Sequence, residues 1–186
     1  MICGIDEAGR GPIAGPVCAA AVVLPQDFPV EILNDSKKLS EKKREKAAVI
    51  IKEKAVAYSI CFSSHKIIDS INILQATLHT MHRCYQQLCD RNILFDQVLF
   101  DGNQVCITSH PAKAVIKGDS LIYQIMAASI LAKTARDEIM IKCSHLYPQW
   151  HFEKHKGYPT KEHLELCARF GLSPIHRTSF RVKTLY

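Results

Sequence analysis

The sequence of 186 residues contains no apolar run close to the roughly 20 residues that a membrane-spanning helix requires. Its most apolar stretches, 18–24 and 121–132, are too short or are interrupted by polar side chains. Asp6 and Glu7 stand where a secretory signal would need a basic and then an apolar segment. Internal repeats and low-complexity segments are also missing. These absences argue against membrane, exported and fibrous proteins, and we expect a cytoplasmic one.

The eight cysteines include no CxxC pair. Thiolate zinc sites usually need such close pairs, so we expect no cysteine-based metal knuckle. An even number of cysteines is compatible with a disulfide framework, but a chain of this length buries enough surface to fold without one. We therefore expect reduced thiols.

Positive charge is concentrated in two segments. Residues 37–54 and residues 142–186 each contain eight Lys or Arg and three Asp or Glu, whereas the whole chain has a formal net charge of +6. The rest of the chain is therefore net acidic. Basic segments around an acidic centre suit a polyanion that is held by its backbone beside a cation. Segment 37–54 also has apolar residues at helical spacing, so its lysines equally fit the solvent face of an amphipathic helix.

The order of the periodic segments predicts a three-layer α/β fold. Strands are predicted over 2–5, 17–24, 56–62, 97–100 and 114–116, and helices over 40–55, 64–91 (in one or two pieces), from Asp119 onward and over 161–169. Strands lead and helices then alternate with shorter strands, which favours a mixed central sheet whose first strands form a meander. We expect a single domain over residues 1–186, in which the basic segment 142–186 is partly helical.

Four carboxylates fall at the ends of predicted elements. Asp6 and Glu7 close the first strand, Asp101 closes the fourth, and Asp119 opens the long helix. Ligand sites of α/β sheets gather at such positions. Converging carboxylates favour a divalent cation such as Mg²⁺, which relieves their repulsion. Two such ions can clamp the attacking and leaving oxygens of a phosphodiester.

Each carboxylate also has a purely structural interpretation. Asp119 is a good helix N-cap, and Asp101 fits ordinary turn chemistry. Asp6 and Glu7 face opposite sides of a strand unless the chain bends there. The metal-site hypothesis therefore depends on the joint placement of all four.

A glycine-rich segment, GRGPIAG at 9–15, follows the first pair of acids. It is neither a GxGxxG fingerprint nor a phosphate loop with GK[ST]. Gly9, Arg10 and Gly11 fit a backbone that approaches a ligand closely, with exposed N–H groups and one arginine for a phosphate. A tight structural turn fits the same residues.

Six segments in order span nearly the whole chain and carry a family resemblance. They are GIDEAGRGPIAGPV at 4–17, LNDSKKLS at 33–40, LFDGN at 99–103, IKGDSLIYQIMAASILAKTARD at 116–137, HKGYPTKEHL at 155–164 and HRTSF at 176–180. Together they resemble the type 2 ribonucleases H, specifically the ribonuclease HII family.

The resemblance implies a ribonuclease H-like fold and a metal-dependent endoribonuclease. Such an enzyme cuts RNA in RNA–DNA hybrids and cuts 5′ of single ribonucleotides in duplex DNA, leaving 3′-hydroxyl and 5′-phosphate ends. The family's catalytic, metal-binding carboxylates match Asp6, Glu7, Asp101 and Asp119. Mg²⁺ or Mn²⁺ is the implied cofactor, and we expect Asp6 to be shared by two ions.

The resemblance also assigns residues to the substrate. The GRG turn at 9–11 is implied to sense the 2′-hydroxyl, and Tyr158 to pack on the sugar that follows the ribonucleotide. Ser36 and Lys37 resemble a contact to a backbone phosphate, and Asp137 resembles a residue near the site that is not a metal ligand.

The last part of the chain departs from the family in one position. Thr178 stands where the family commonly has the second arginine of HRRSF, which questions a phosphate contact or a packing role there. No QxxLxxFF-like sliding-clamp peptide is evident, and we expect a monomer whose partner is a nucleic acid.

Two alternatives stay open for the function. One is another two-metal nuclease of the same superfold, which the GRG turn and Tyr158 disfavour. The other is a catalytically silent module that binds hybrids, which the presence of all four carboxylates disfavours.

Overall fold

A five-stranded mixed sheet forms the centre of the structure, a computed structural model that describes residues 1–34, 36 and 39–181. The strands are β1 Ile2–Ala8, β2 Val17–Val23, β3 Ala57–Ser63, β4 Gln97–Asp101 and β5 Ala112–Val115, in the spatial order β3-β2-β1-β4-β5. β2 pairs antiparallel with β1 and β3, whereas β4 pairs parallel with β1 and β5. The predicted mixed sheet with an initial meander is confirmed.

Within the described residues, five α-helices surround the sheet. They are α1 Glu41–Lys54, α2 His65–Asp90, α3 Tyr123–Leu146, α4 Phe152–His155 and α5 Lys161–Phe170. The Ser40 side chain accepts a hydrogen bond from the N–H of Lys43 and so caps α1. Thr160 caps α5 in the same way. None of these helices is long and apolar enough to cross a membrane.

Asn72 divides α2 into two pieces. Its backbone leaves the helical region (φ 64°, ψ 165°), and its Oδ1 accepts a hydrogen bond from the N–H of Gln75 at 3.0 Å. The second piece therefore begins with a cap of its own. This confirms the two-piece interpretation of segment 64–91.

β2 separates the two halves of the core. Its side chains are all buried, and they alternate between the two faces of the sheet. Cys18, Ala20 and Val22 pack with α1 and α3, while Ala19, Ala21 and Val23 pack with α2. The helices thus lie on both faces, which confirms the three-layer arrangement.

The long helix begins at Tyr123, later than predicted. Lys117 adopts a left-handed conformation (φ 58°, ψ 34°), a 3₁₀ turn follows over Gly118–Ser120, and Ile122 is the N-cap of α3. The expectation that Asp119 opens or caps this helix is therefore wrong. The turn instead directs the N–H of Asp119 to Oδ1 of Asp101 at 3.1 Å, at the edge of the sheet.

The C-terminal part of the chain returns to the segment after β1. Ala14 forms an isolated β-bridge with His176, and the N–H of Gly15 donates to the Ile175 carbonyl at 2.9 Å. The glycine-rich segment is thus held by residues from the opposite end of the sequence.

Candidate active site

Three of the four predicted carboxylates meet at one edge of the sheet. Ile5 of β1 pairs in parallel register with Phe100 of β4, so Asp6 and Asp101 follow neighbouring residues. With Asp119 they form a group in which one oxygen of each residue lies within 4.8 Å of the others. Carboxylate oxygens are the ligands that Mg²⁺ and similar hard cations take.

The electrostatics of this group favour a bound cation. Burial raises the pKa of Asp6 well above its ordinary value, and the charges of Glu7 and Asp101 raise it further. Asp6 is only 4% exposed, so water can do little to screen its charge. A divalent cation would stabilise the ionised form, and the residues present therefore fit Mg²⁺ or Mn²⁺.

Glu7, the fourth predicted carboxylate, lies beside this group rather than within it. Its backbone N–H donates to Oδ1 of Asp6 at 2.7 Å, and its Oε1 lies 3.6 Å from Nη1 of Arg10. Burial raises the pKa of Glu7, while the Arg10 charge opposes the shift. The opposite orientation of neighbours on a strand, anticipated from the sequence, explains this separation.

The GRG turn lines a second cavity next to the carboxylates. This cavity has a volume of about 200 Å³ and is lined by Glu7, Ala8, Gly9, Arg10, Gly11, Ser36, Ser129, Lys133 and Tyr158. A smaller cavity beside Asp101, the member of the three-carboxylate group that lines it, is also lined by Glu7 and Arg10. Two residues are therefore common to the carboxylate edge and the GRG cavity.

Tyr158 forms one wall of the GRG cavity. Its side chain is partly exposed, and its Cε1 would lie 3.7 Å from a Cβ placed on Gly11. Lys133 Nζ lies 5.6 Å from the centre of its ring, and Cζ of the Arg136 guanidinium lies 5.7 Å from the same centre. The structure thus brings Tyr158 to the GRG turn, although Tyr158 lies 147 positions after Gly11, the last residue of that turn.

Ser36 contributes a buried hydroxyl to the same cavity. Its Oγ shares a hydrogen bond with Oγ of Ser129 at 2.8 Å. Lys37, predicted as its partner in a phosphate contact, lies outside the described residues. Asp137 is buried and bonds to Arg44 Nη2 at 3.2 Å and to Lys133 Nζ at 2.7 Å. It lies outside the three-carboxylate group.

Sequence reasoning missed two arginines behind the GRG turn. Arg136 and Arg177 have no exposed surface, and both donate to backbone carbonyls of segment 9–16. The one feature of the sequence that could have drawn attention to them is their position in two of the segments that resemble the family, 116–137 and 176–180. Thr178, the departure from the family, donates its N–H and its hydroxyl to Oδ2 of Asp69. It therefore packs the tail against α2 in this structure.

A second group of potential metal ligands, His163, Cys167 and His176, is buried behind Tyr158. Nδ1 of His176 accepts a hydrogen bond from the N–H of Ser173 at 2.8 Å, so its Nε2 carries the proton of the neutral ring. Nε2 of His176 donates that proton to Nε2 of His163, 3.1 Å away, and Nδ1 of His163 donates to the Tyr158 carbonyl at 2.8 Å. These contacts describe a neutral hydrogen-bond chain that supports the Tyr158 backbone rather than a metal centre.

The comparisons with known proteins agree with this geometry. The family model described as Ribonuclease HII matches residues 3–183. A curated ribonuclease HII from Idiomarina loihiensis is 55% identical over 180 residues, which cover 97% of this chain and 95% of the relative. The chain belongs to the ribonuclease HII family. It is accordingly a metal-dependent ribonuclease, a hydrolase that acts on phosphodiester bonds of RNA in RNA–DNA hybrids.

Solved structures of ribonucleases HII and HIII share the fold. Ribonuclease HII in its complex with PCNA from Archaeoglobus fulgidus has a TM-score of 0.78 at 23% identity, covering 96% of this chain and 92% of that one. Bst-RNase HIII in complex with Mn²⁺ has a TM-score of 0.79 at 19% identity, covering 99% of this chain and 68% of that one. These similarities show the ribonuclease H-like fold predicted from the sequence.

Proposed function

We propose that this enzyme incises duplex DNA on the 5′ side of a single embedded ribonucleotide and leaves a 3′-hydroxyl and a 5′-phosphate. The proposal is carried by the adjacency of the two cavities, since Glu7 and Arg10 line both. A phosphate beside the carboxylates would have its neighbouring sugar at the GRG turn. An enzyme that cuts next to a ribose it has recognised needs this arrangement.

Asp6, Asp101 and Asp119 would hold the divalent cations, with Glu7 completing the set. Asp6 is the best candidate for a shared ligand because it is the most deeply buried and lies within reach of both other aspartates. When bound, two such cations activate a water molecule and stabilise the leaving 3′ oxygen. The oxygen-only ligands suit Mg²⁺ or Mn²⁺, and the similar Bst-RNase HIII binds Mn²⁺.

The GRG turn and Tyr158 would recognise the ribonucleotide. The 2′-hydroxyl both donates and accepts hydrogen bonds, and it is the group that distinguishes RNA from DNA at a given site. Gly9, Arg10 and Gly11 would bring their backbone close to this group, while the Tyr158 ring offers a flat face to the next sugar. Ser36 and Lys37 are proposed to contact a phosphate of the backbone.

We also propose that residues 1–186 form one catalytic domain that acts as a monomer in the cytoplasm. Its basic segment 142–186 would contribute to substrate binding, which is supported by the position of Tyr158 at the GRG cavity. The Archaeoglobus fulgidus relative is seen with PCNA. A clamp is not part of the proposal, because no QxxLxxFF-like peptide is evident in the sequence of this chain.

The test is cleavage of two duplexes of identical sequence, one all-DNA and one with a single ribonucleotide, each with Mg²⁺ or Mn²⁺. We expect cutting of the second duplex alone, with products mapped to the 5′ side of the ribonucleotide. Equal cutting of both would indicate a general two-metal nuclease. Tight binding of an RNA–DNA hybrid without any cutting would indicate a silent binding module.

Tyr158→Ala should lower cutting at a single ribonucleotide more than cutting of a long RNA–DNA hybrid. We expect a loss on the order of tenfold, because one stacked aromatic ring contributes about 1–3 kcal/mol. Tyr123→Ala is the matched control, since Tyr123 is exposed and lines neither cavity. Equal losses on both substrates would contradict the contact with the sugar.

A further inference from the structure

Two arginines from the C-terminal half of the chain are buried behind the GRG turn. Arg136 lies on α3 and Arg177 follows α5, and both side chains are fully buried. Burial of a guanidinium is costly unless hydrogen bonds replace the lost water. The hydrogen bonds of the two guanidinium groups therefore show which parts of the structure these arginines hold in place.

Arg177 donates to both arms of the loop that contains the GRG turn. Its Nη2 bonds to the Gly9 carbonyl at 2.7 Å, and its Nη1 bonds to the Arg10 carbonyl at 3.2 Å. On the returning arm, its Nε bonds to the Gly15 carbonyl at 3.0 Å and its Nη2 to the Pro16 carbonyl at 3.2 Å. The buried guanidinium thus joins the two arms of the loop 9–16 through hydrogen bonds to four of its carbonyls.

Arg136 reinforces the same loop from α3. Its Nε donates to the Pro16 carbonyl at 2.9 Å and its Nη2 to the Ala14 carbonyl at 3.2 Å. Its Nη1 donates to the Lys156 carbonyl at 2.9 Å, close in sequence to Tyr158. One side chain therefore joins the returning arm of the loop to the segment that carries the tyrosine.

The contacts of Arg177 fix the direction of two backbone donors. A trans peptide is planar, and its C=O and N–H point in opposite directions. Because the carbonyls of Gly9 and Arg10 point at Arg177, the N–H groups of Arg10 and Gly11 point away from it. Arg10 and Gly11 are exposed and line the cavity next to the carboxylates. These two N–H groups are therefore aimed at the outer side of the turn.

The backbone of Arg177 and the two residues that follow it are also fixed by hydrogen bonds. Its backbone N–H donates to the Ile13 carbonyl at 2.9 Å. The next two residues, Thr178 and Ser179, donate four hydrogen bonds to the Asp69 carboxylate of α2, at 2.6 to 3.0 Å. The position of the guanidinium is thus anchored to the loop and to α2.

We propose that Arg177 is a positioning residue for ribonucleotide recognition, because it aims the N–H groups of Arg10 and Gly11 at the sugar. Arg136 supports the same loop. This inference rests on the proposed function of the GRG turn, and it names the side chain on which that function depends. Arg177 touches no substrate in this scheme.

The test compares Arg177→Lys with the parent enzyme, with Arg169→Lys as the matched control. A lysine keeps the positive charge but cannot bond to four carbonyls at once. Arg169 lies in the last turn of α5 and contacts Phe170. The first measurement is hydrogen exchange of the peptide covering 9–16 in the free protein, well below the melting temperature. We expect faster exchange there in Arg177→Lys alone, with unchanged exchange in β2.

The second measurement is binding, in Ca²⁺, to matched duplexes with and without one ribonucleotide. We expect Arg177→Lys to reduce the preference for the ribonucleotide by about tenfold to a hundredfold, as when a charge-assisted hydrogen bond is lost, with the affinity for all-DNA duplex unchanged. A parent protein without any preference would overturn the proposed function. In that case the role of Arg177 is tested by hydrogen exchange of the peptide 9–16 alone. Exchange in Arg177→Lys as slow as in the parent would refute that role.

Parent-like exchange and parent-like preference in Arg177→Lys would overturn the proposal. If that variant does not fold, Asp69→Ala serves instead, because Asp69 lies on α2 and its hydrogen bonds within the described part of the chain are to Thr178 and Ser179. Faster exchange in 9–16 then supports the proposal, and unchanged exchange refutes it.

Discussion

Asp101→Asn should make the metal-free protein more stable while abolishing its activity. Asparagine has the size of aspartate, and its carbonyl oxygen can still accept the hydrogen bond from the Asp119 N–H, which is 3.1 Å long. The substitution therefore removes one negative charge from the three-carboxylate group with little change in shape. Sites that hold several like charges without their cation store repulsion, and this variant releases part of it.

The size of the effect follows from the separation of the charges. Two unit charges 4.8 Å apart, the upper limit in this group, repel each other by about 3.5 kcal/mol at an effective dielectric constant near 20 and by about 0.9 kcal/mol in bulk water. We expect the free energy of unfolding to rise by about 1–3 kcal/mol. For a chain of this length that corresponds to roughly 2–12 °C in Tm.

The assay is thermal unfolding in a chelator and again with Mn²⁺, beside cleavage of a hybrid. The variant should melt higher than the parent in chelator, gain less from Mn²⁺, and cleave at least about a hundredfold more slowly. Asp27→Asn, at an exposed loop position, should change none of these quantities. A variant that melts lower than the parent in chelator, or that keeps the full Mn²⁺ stabilisation, would refute the metal-site reasoning.

Two further predictions concern the loop and the buried histidines. Gly9→Ala should cost about 1–3 kcal/mol of stability, because its φ is +100° and a Cβ there would lie 2.2 Å from a buried arginine nitrogen. Gly11→Ala should leave the urea midpoint unchanged and slow cleavage, since its Cβ would be in ordinary contact with the Tyr158 ring, at 3.7 Å, and with no other described residue. A larger loss of stability in Gly11→Ala than in Gly9→Ala would contradict this assignment. Burial lowers the pKa of His163 and of His176 from 6.5 to about 4. Below pH 6.5 the unfolded chain takes up protons first, so stability should fall between pH 6.5 and 4 more steeply in the parent than in His163→Gln. Parallel pH profiles in urea denaturation would count against this.

The sequence could predict the carboxylate edge because its geometry follows from local rules. Asp101 ends β4, and Asp6 directly follows Ile5, the last residue of β1 that pairs with β4, so the parallel pairing brings both to the same edge of the sheet. The strand itself is longer than predicted, because β1 continues to Ala8 in its pairing with β2. Asp119 was also predicted correctly as a member of the carboxylate group, but the prediction that it begins the long helix was wrong. The left-handed backbone of Lys117 and the 3₁₀ turn after it replace the expected helix start, and nothing in the periodicity of this segment signals them.

The arginines behind the GRG turn could not be predicted in the same way. Arg136 and Arg177 bond to carbonyls that lie 120 and 168 residues away in the chain. Such contacts depend on the completed packing of α3 and the tail against the loop, and charged residues are rarely buried to this extent. A sequence pattern reports spacing along one element, so it contains no information about this kind of contact.

The link between Arg177 and Gly9 also bears on the order of events during synthesis. A ribosome releases the GRG loop 168 residues before Arg177, the side chain that bonds to its Gly9 carbonyl. Bringing together residues this far apart in the sequence costs loop-closure entropy. A nascent chain could therefore acquire its sheet and its carboxylate edge while the loop is still unsupported. Selective recognition of ribonucleotides would then begin only after Arg177 has been synthesised and has packed against the loop.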